Sequence, residues 1–268
     1  MLMMRSFSLI VLLLLLSACA RTHKTESVAP PAGKRIVQHR KVSAFNQVTV
    51  EGNINVNLHT GYSRPQVILH GDSRDLIQLK SEVTDNGLRL TIGKGYPRFG
   101  AITADIRGRY LNSFSFKGVG FIKGNNLHSG LLDLSIDNPG RTTLGGSIFL
   151  RKLKVSGGGD IQLRDVNSQY LHLAITDKTR VMLTGVLNLS KVNLDGDGFL
   201  SVYWVKSMGL IVCAKGNTFV QLAGVVDKLD LELWGLAQFK GRYLRVRRAF
   251  VKTHGKSIAE ITALQHQD

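Results

Sequence analysis

The chain has 268 residues, of which 43% are hydrophobic and 20% charged, and carries a formal net charge of +16. That length suits one elongated domain or one large compact domain. It holds two cysteines, Cys19 and Cys213, and the first has a separate task, so no intramolecular disulfide is expected and stability must come from apolar burial and backbone hydrogen bonds.

At the N-terminus Arg5 supplies a positive segment, and Leu9 to Leu16 form an unbroken apolar run. The run is shorter than the roughly 20 residues that span a bilayer, so residues 1–18 read as an export signal. Leu16-Ser17-Ala18-Cys19 resembles a bacterial lipobox, which implies cleavage before Cys19 and diacylglyceryl attachment to its thiol. Several acyl chains together give the multiple signals that stable membrane anchoring requires. Ala20 follows, where resemblance to lipoproteins retained at the inner membrane would ask for Asp. The expected location is therefore the outer membrane, on its periplasmic or its surface face. Loss of residues 1–18 removes one cation, Arg5, and leaves 250 residues at +15.

A basic, exported, membrane-tethered chain calls for anionic neighbours. In the envelope these are lipopolysaccharide, phospholipid head groups, cell-wall polymer or acidic glycan, with envelope proteins as further partners. Nucleic acid is not expected, because neither stacking aromatics of the RNP type nor zinc-finger Cys/His spacing occurs.

Residues 19–41 read as the lipidated cysteine and a flexible tether, loosest over 20–35, where Pro30-Pro31 and Gly33 lie among Thr, Ser and Lys. Alternation then takes over: Val48-x-Val50, Ile54-x-Val56-x-Leu58, Val67-x-Leu69 and Leu88-x-Leu90-x-Ile92, punctuated by Gly52, Gly61, Gly71 and Asn86-Gly87. Period-two apolar spacing broken by Gly and Asn predicts short strands and tight turns. Ser73 to Leu79 is the one helical candidate, of two turns at most.

The second half repeats. Apolar pairs recur at Phe114/Phe116, Leu132/Leu134, Leu153/Val155, Leu171/Leu173, Val192/Leu194, Leu210/Val212 and Leu229/Leu231, their first members 18, 21, 18, 21, 18 and 19 residues apart. Turn signals such as Asn138-Pro139-Gly140, Gly157-Gly158-Gly159-Asp160 and Asp195-Gly196-Asp197-Gly198 follow them. A strand–turn–strand unit of this size cannot bury its apolar face alone, whereas coaxial stacking buries it. The spacing predicts an all-β fold, a right-handed parallel β-solenoid with rungs of about 18–21 residues, over 42–262, with 263–268 as a tail. Leucine-rich repeats would need an Asn or Cys ladder and a helical half, and an antiparallel sandwich would not require near-constant spacing.

The pattern Phe45-x-x-Val48-x-Val50-x-Gly52-x-Ile54-x-Val56-x-Leu58-x-x-Gly61, then Val67 to Gly71-Asp72 and Asn86-Gly87-Leu88-x-Leu90-x-Ile92, resembles the bacterial head-GIN-domain family. Its members are described as auto-transporter adhesin heads, often lipoproteins or secreted. The resemblance covers roughly residues 42 to 250. It implies a β-solenoid and an envelope or surface role, and it brings no catalytic residues. The basic C-terminal rungs depart from the family pattern.

Solenoids host glycan-cleaving enzymes that use two carboxylates about 5–10 Å apart, and adjacent rungs lie about 4.8 Å apart. Aligning the units on Leu134, Val155, Leu173, Leu194, Val212 and Leu231 makes Asp177 and Asp197 offset neighbours. A polysaccharide-processing enzyme using that pair is the alternative reading, although Asp beside Gly is what turns select. A purely structural subunit of an envelope assembly is a third. No catalytic residue, metal site or cofactor is expected: the histidines lack ligand spacing, and Asp195-Gly196-Asp197-Gly198 lacks the closing Glu of a calcium loop. Cys213, within Leu210-Ile211-Val212-Cys213-Ala214, reads as a buried, inert thiol.

Two features point to binding. Trp204, beside Tyr203, and Trp234 are candidates for stacking sugar rings. Between Glu232 and Glu260 no carboxylate occurs, while Lys240, Arg242, Arg245, Arg247, Arg248, Lys252 and Lys256 do. Arg242, Arg245, Arg247, Arg248 and Lys252 are the expected contacts for an anionic polymer. Alternation puts Tyr243, Arg245 and Arg247 on one face, and Arg248 returns to solvent only if the strand bends. The expected function is that of a non-enzymatic, adhesin-like outer-membrane lipoprotein.

Overall fold

The computed structural model describes residues 33–263; the export signal, Cys19 and residues 264–268 lie outside them. Strand-forming alternation dominates, as the sequence predicts. Eight short strands open the fold: β1 (Arg35–Lys41), β2 (Gln47–Asn53), β3 (Asn55–His59), β4 (Gln66–Asp72), β5 (Lys80–Thr84), β6 (Gly87–Thr91), β7 (Thr103–Arg107) and β8 (Leu111–Val119). Among the described residues the one helix, α1 (Ser73–Leu76), falls on the expected segment. Asp72 caps it by accepting from the Arg74 backbone N–H at 3.0 Å, and the Arg74 guanidinium holds the Asp72 carboxyl below the usual carboxylate range.

Long coils follow: β9 (Ile122–Asp137), β10 (Thr142–Ser156), β11 (Asp160–Asp177), β12 (Arg180–Gly196), β13 (Phe199–Gly216), β14 (Phe219–Gly235) and β15 (Gln238–Gly255), closed by β16 (Ile258–Ala263). Each pairs in parallel with the coil before and after it. The chain is thus a parallel β-solenoid. Its N-terminal end differs: β1 and β7 run antiparallel to β4, and β5 runs antiparallel to β6. The segment read as tether through residue 41 is corrected here. Arg35–Lys41 is a strand, with Arg35 opposite Asp72 and Lys41 opposite Gln66. Its side chains are mostly exposed, so the apolar alternation that marks the other strands is missing from it.

Register gives the repeat its true length. Thr142, Ile161, Val181, Leu200, Val220, Phe239 and Ala259 stack as one column, 19 and 20 residues apart in alternation. The second column is Leu134, Leu153, Leu173, Val192, Val212 and Leu231, each at most 2% exposed. The alignment on Val155 and Leu194 is therefore slipped by two residues. A slip of two keeps every side chain on its own face, so the apolar pattern cannot detect it.

Two coils make a super-repeat of 39 residues. At one corner Gly185 and Gly224, 39 apart, hold φ of +132° and +133°. A Cβ there would run into the carbonyl oxygen of Val166 or Val205 in the preceding coil. Only glycine permits both the dihedral and the close approach. The corners of β12 and β14 are therefore small and recessed, and those of the longer coils between them stand proud.

Candidate ligand-binding site

Three successive corners build a groove of about 730 Å³. Its floor is Ala223-Gly224 of β14. One wall is Tyr203-Trp204 of β13, and the other is Arg242-Tyr243 of β15 with Arg245 beside it. Tyr203 and Tyr243 both lie in register with Ala223, so their backbones stand two strand spacings apart, about 10 Å.

Strict alternation would show only one of Tyr203 and Trp204 to solvent. Both are out, 66% and 46% exposed, because Tyr203 pairs with Ala223 and Val205 with Gly224, leaving Trp204 as an extra residue on a bulge. A second bulge sets Gly241-Arg242 against the single Leu222. It turns Arg242 outward, where strict alternation from Leu244 would bury it. The Arg242 guanidinium lies 5.9 Å from the Tyr243 ring centre, and its backbone carbonyl accepts from the Thr262 hydroxyl at 3.0 Å. No carboxylate lines the groove.

The structure divides the basic cluster. Arg242 and Arg245 enter the groove. Arg247 reaches toward Asp227 at 3.9 Å. Arg247 and Arg248 are both exposed, as is every residue of β15 from Arg247 to Thr253. Arg248 lies in register with Lys228, and Lys252 with Glu232, on the next limb of the coil. Trp234 also stands apart, stacked on His254 at 3.7 Å with 14° between the rings. His254 Nε2 in turn lies 3.8 Å from the Glu232 carboxylate. One face of Trp234 is thus already covered.

Asp177 and Asp197 meet only through backbone. The Asp197 N–H donates to the Asp177 carbonyl at 2.9 Å. The Asp177 carboxylate accepts from the Gly157 N–H at 3.0 Å, and Asp177 itself holds a left-handed φ of +63°. That is the work of a turn residue. Among the described residues no group of three His, Cys, Asp or Glu side chains could hold a metal ion.

Cys213 is half-buried, not buried. Alternation sends Leu210, Val212 and Ala214 inward and leaves Cys213 on the outer face with Ile211. Partial burial, and then the Glu232 carboxylate that accepts from its S–H at 3.6 Å, push the thiol pKa up. Alkylation by iodoacetamide at pH 8 is expected to be slower than for a free thiol, and several-fold faster in Glu232→Gln, since the thiolate is the nucleophile. Equal rates in the two proteins would deny Glu232 this role.

A second depression of about 520 Å³ adjoins the groove and shares Val225 with it. Tyr170, Val186 and Met208 supply its apolar lining, and Gln169, Asn188, Lys206 and Asp227 its polar groups. Sequence reasoning passes over Tyr170 and Met208, and it places Tyr243 on the face of Arg245 without giving it a binding role. The 39-residue frame carries the missing signal. Asn125-Asn126, Arg164-Asp165, Tyr203-Trp204 and Arg242-Tyr243 recur at that interval. Asn126 and Asp165 take left-handed turns, with φ of +56° and +57°, and aromatics replace them in the last two positions.

Solved structures share this architecture. A protein described as a putative adhesin from Parabacteroides merdae is 14% identical and matches with a TM-score of 0.62, over 87% of this chain and 97% of its own. One from Parabacteroides distasonis, described as a putative lipid binding protein, is 13% identical, also at 0.62, over 87% and 98%. A putative adhesin from Bacteroides fragilis is 19% identical, at 0.53, over 87% and 99%. At these identities the likeness is one of fold. Comparison with curated proteins finds no match. The sequence profile described as "Putative auto-transporter adhesin, head GIN domain" matches residues 44–208 and again 150–268. With the strand pattern, the glycine corners and the stacked coils already in place, that coverage establishes that the chain belongs to the head GIN domain family.

Proposed function

We propose that this chain is a non-enzymatic, adhesin-like outer-membrane lipoprotein, anchored through lipid on Cys19, whose solenoid binds an anionic polymer of the envelope or of a host. The lipobox pattern supports the anchor. The groove supports the binding: Tyr203, Trp204 and Tyr243 offer ring faces beside Arg242 and Arg245, with no carboxylate to offset them. Aromatic faces stack on the C–H face of a sugar, and arginine recognises carboxylate or phosphate through paired N–H donors. Acidic glycan, lipopolysaccharide and cell-wall polymer all present that combination. The Asp177 carboxylate is taken up by the Gly157 N–H within a turn, which favours a structural role for it over a catalytic one.

Titration with oligogalacturonate and with lipopolysaccharide tests this reading. A hydrogen bond to a charged group contributes about 1.5–3 kcal/mol, so Arg242→Gln with Arg245→Gln should weaken binding by at least about a hundredfold. Affinity should also fall steeply with salt. Arg248→Gln, on the neighbouring limb, should change it by less than about threefold. Unaltered binding in the double variant would reduce the arginines to solvated edge charges.

A further inference from the structure

We infer that the ligand is a glycan in which an acidic sugar alternates with an N-acetylated amino sugar; this rests on the anionic-polymer reading and assigns each depression one of the two units. The groove between Tyr203 and Tyr243 takes the acidic unit. Its charged lining groups are Arg242 and Arg245 alone, and its small floor of Ala223-Gly224 leaves a slot between aromatic walls.

The adjoining depression has a different chemistry. Its charged lining groups are one cation, Lys206, and one carboxylate, Asp227, which also lies 3.9 Å from Arg247, so unlike the groove it sets a carboxylate against any second acidic unit. Asn188 and Gln169 are side-chain amides, suited to pair with an acetamido N–H and C=O. Val186, Val225 and Met208 form an apolar seat for the acetamido methyl group, and the exposed ring of Tyr170 borders it. A few polar groups on a mostly apolar surface are what fixes a small ligand's orientation.

The two sites are spaced as neighbouring units of one chain. Lys206, Val225 and Arg245 form one column across β13, β14 and β15. Val225, common to both depressions, is therefore one strand spacing, about 4.8 Å, from Arg245. Both volumes, about 730 and 520 Å³, fall within the roughly 300–1,000 Å³ of small-molecule sites. A uronate-only polymer would place a carboxylate against Asp227 and leave the amides and the methyl seat unused. A neutral polymer of acetamido sugars would leave both arginines unpaired.

The full chain is titrated calorimetrically with three oligosaccharides of equal length: hyaluronan fragments (alternating glucuronate and N-acetylglucosamine), oligogalacturonate and chitin fragments. Hyaluronan should bind at least about tenfold more tightly than oligogalacturonate, with chitin fragments weakest. Asn188→Ala with Met208→Ala should bring hyaluronan down to the oligogalacturonate level and leave oligogalacturonate itself unchanged. Equal binding of the two acidic probes by the unmodified chain, or a preference that survives in the double variant, overturns the alternating-ligand assignment alone. Binding of neither acidic probe overturns this inference, and with lipopolysaccharide also unbound it overturns the anionic-polymer reading as well.

Discussion

Cys19→Ser is expected to abolish incorporation of an alkyne fatty acid and to leave the export signal uncleaved by the lipoprotein signal peptidase. The reason is chemical: diacylglyceryl transfer forms a thioether at the cysteine sulfur, and a serine hydroxyl offers no thiolate to make it. Leu16-Ser17-Ala18 stays intact in this variant, so recognition of the segment for export is preserved and only the acceptor atom changes. Lipid attachment holds the protein to the membrane through many buried methylenes, each worth about 0.8 kcal/mol. The washed membrane fraction of cells making the serine protein should therefore carry no fatty-acid label on it. A serine variant that stays labelled and bound after washing would refute the lipobox reading and put the lipid attachment somewhere other than Cys19.

Gly185→Val is expected to give the largest loss of stability among single changes in the coils. Two costs combine. A φ of +132° is strained for a β-branched residue by about 1–3 kcal/mol, and the new Cβ meets the Val166 carbonyl in the coil below. That oxygen belongs to the parallel ladder between β11 and β12, so relieving the collision means parting the two coils at their shared corner. A total of at least about 3 kcal/mol corresponds to a fall of roughly 6–12 °C in Tm for a domain of this size. Gly145→Ala is the control. Its Cβ would find the Arg164 Cβ at 3.6 Å, an ordinary contact, and the change should stay within about 0.5 kcal/mol. Thermal melts followed by circular dichroism distinguish the two. Equal shifts would show that the corner tolerates a side chain and that the alternating 19- and 20-residue coils have another cause.

The prediction at Gly185 depends on register, and register is where reading the chain as a string has its limit. Leu134, Leu173, Val212 and Leu231 could be placed in one core column from the sequence, since inward residues recur every second position and every unit. The same spacing puts Val155 and Leu194 in that column too, two residues away from Leu153 and Val192, which occupy it. Both choices bury an apolar side chain. Hydrogen bonds between coils decide between them, and these join residues 19 or 20 apart.

The candidate groove is legible only in pieces. Arg242, Arg245 and Trp204 stood out as residue types, one set as a cation cluster without carboxylates and the other as an aromatic in a strand. Their convergence depends on two bulges, at Trp204 and at Gly241-Arg242, that reverse the facing alternation assigns. Trp234, identical in type to Trp204, ends on a different part of the coil beneath His254. Arg35–Lys41 was missed as a strand for a related reason. It lies on the outside of β4 with little buried, and a strand that buries nothing leaves no apolar signature.

The sequence by itself determined the class of fold, the coil length to within about a residue, and the family, because each follows from local alternation and from the Gly and Asn residues that turns require. Tertiary structure alone decided which residues stack, which corners recede at Gly185 and Gly224, and which aromatics meet which arginines. Those outcomes are set by contacts between coils. A period of two within a coil is the same for every even shift, and only the hydrogen bonds and close approaches of the stacked chain remove that degeneracy.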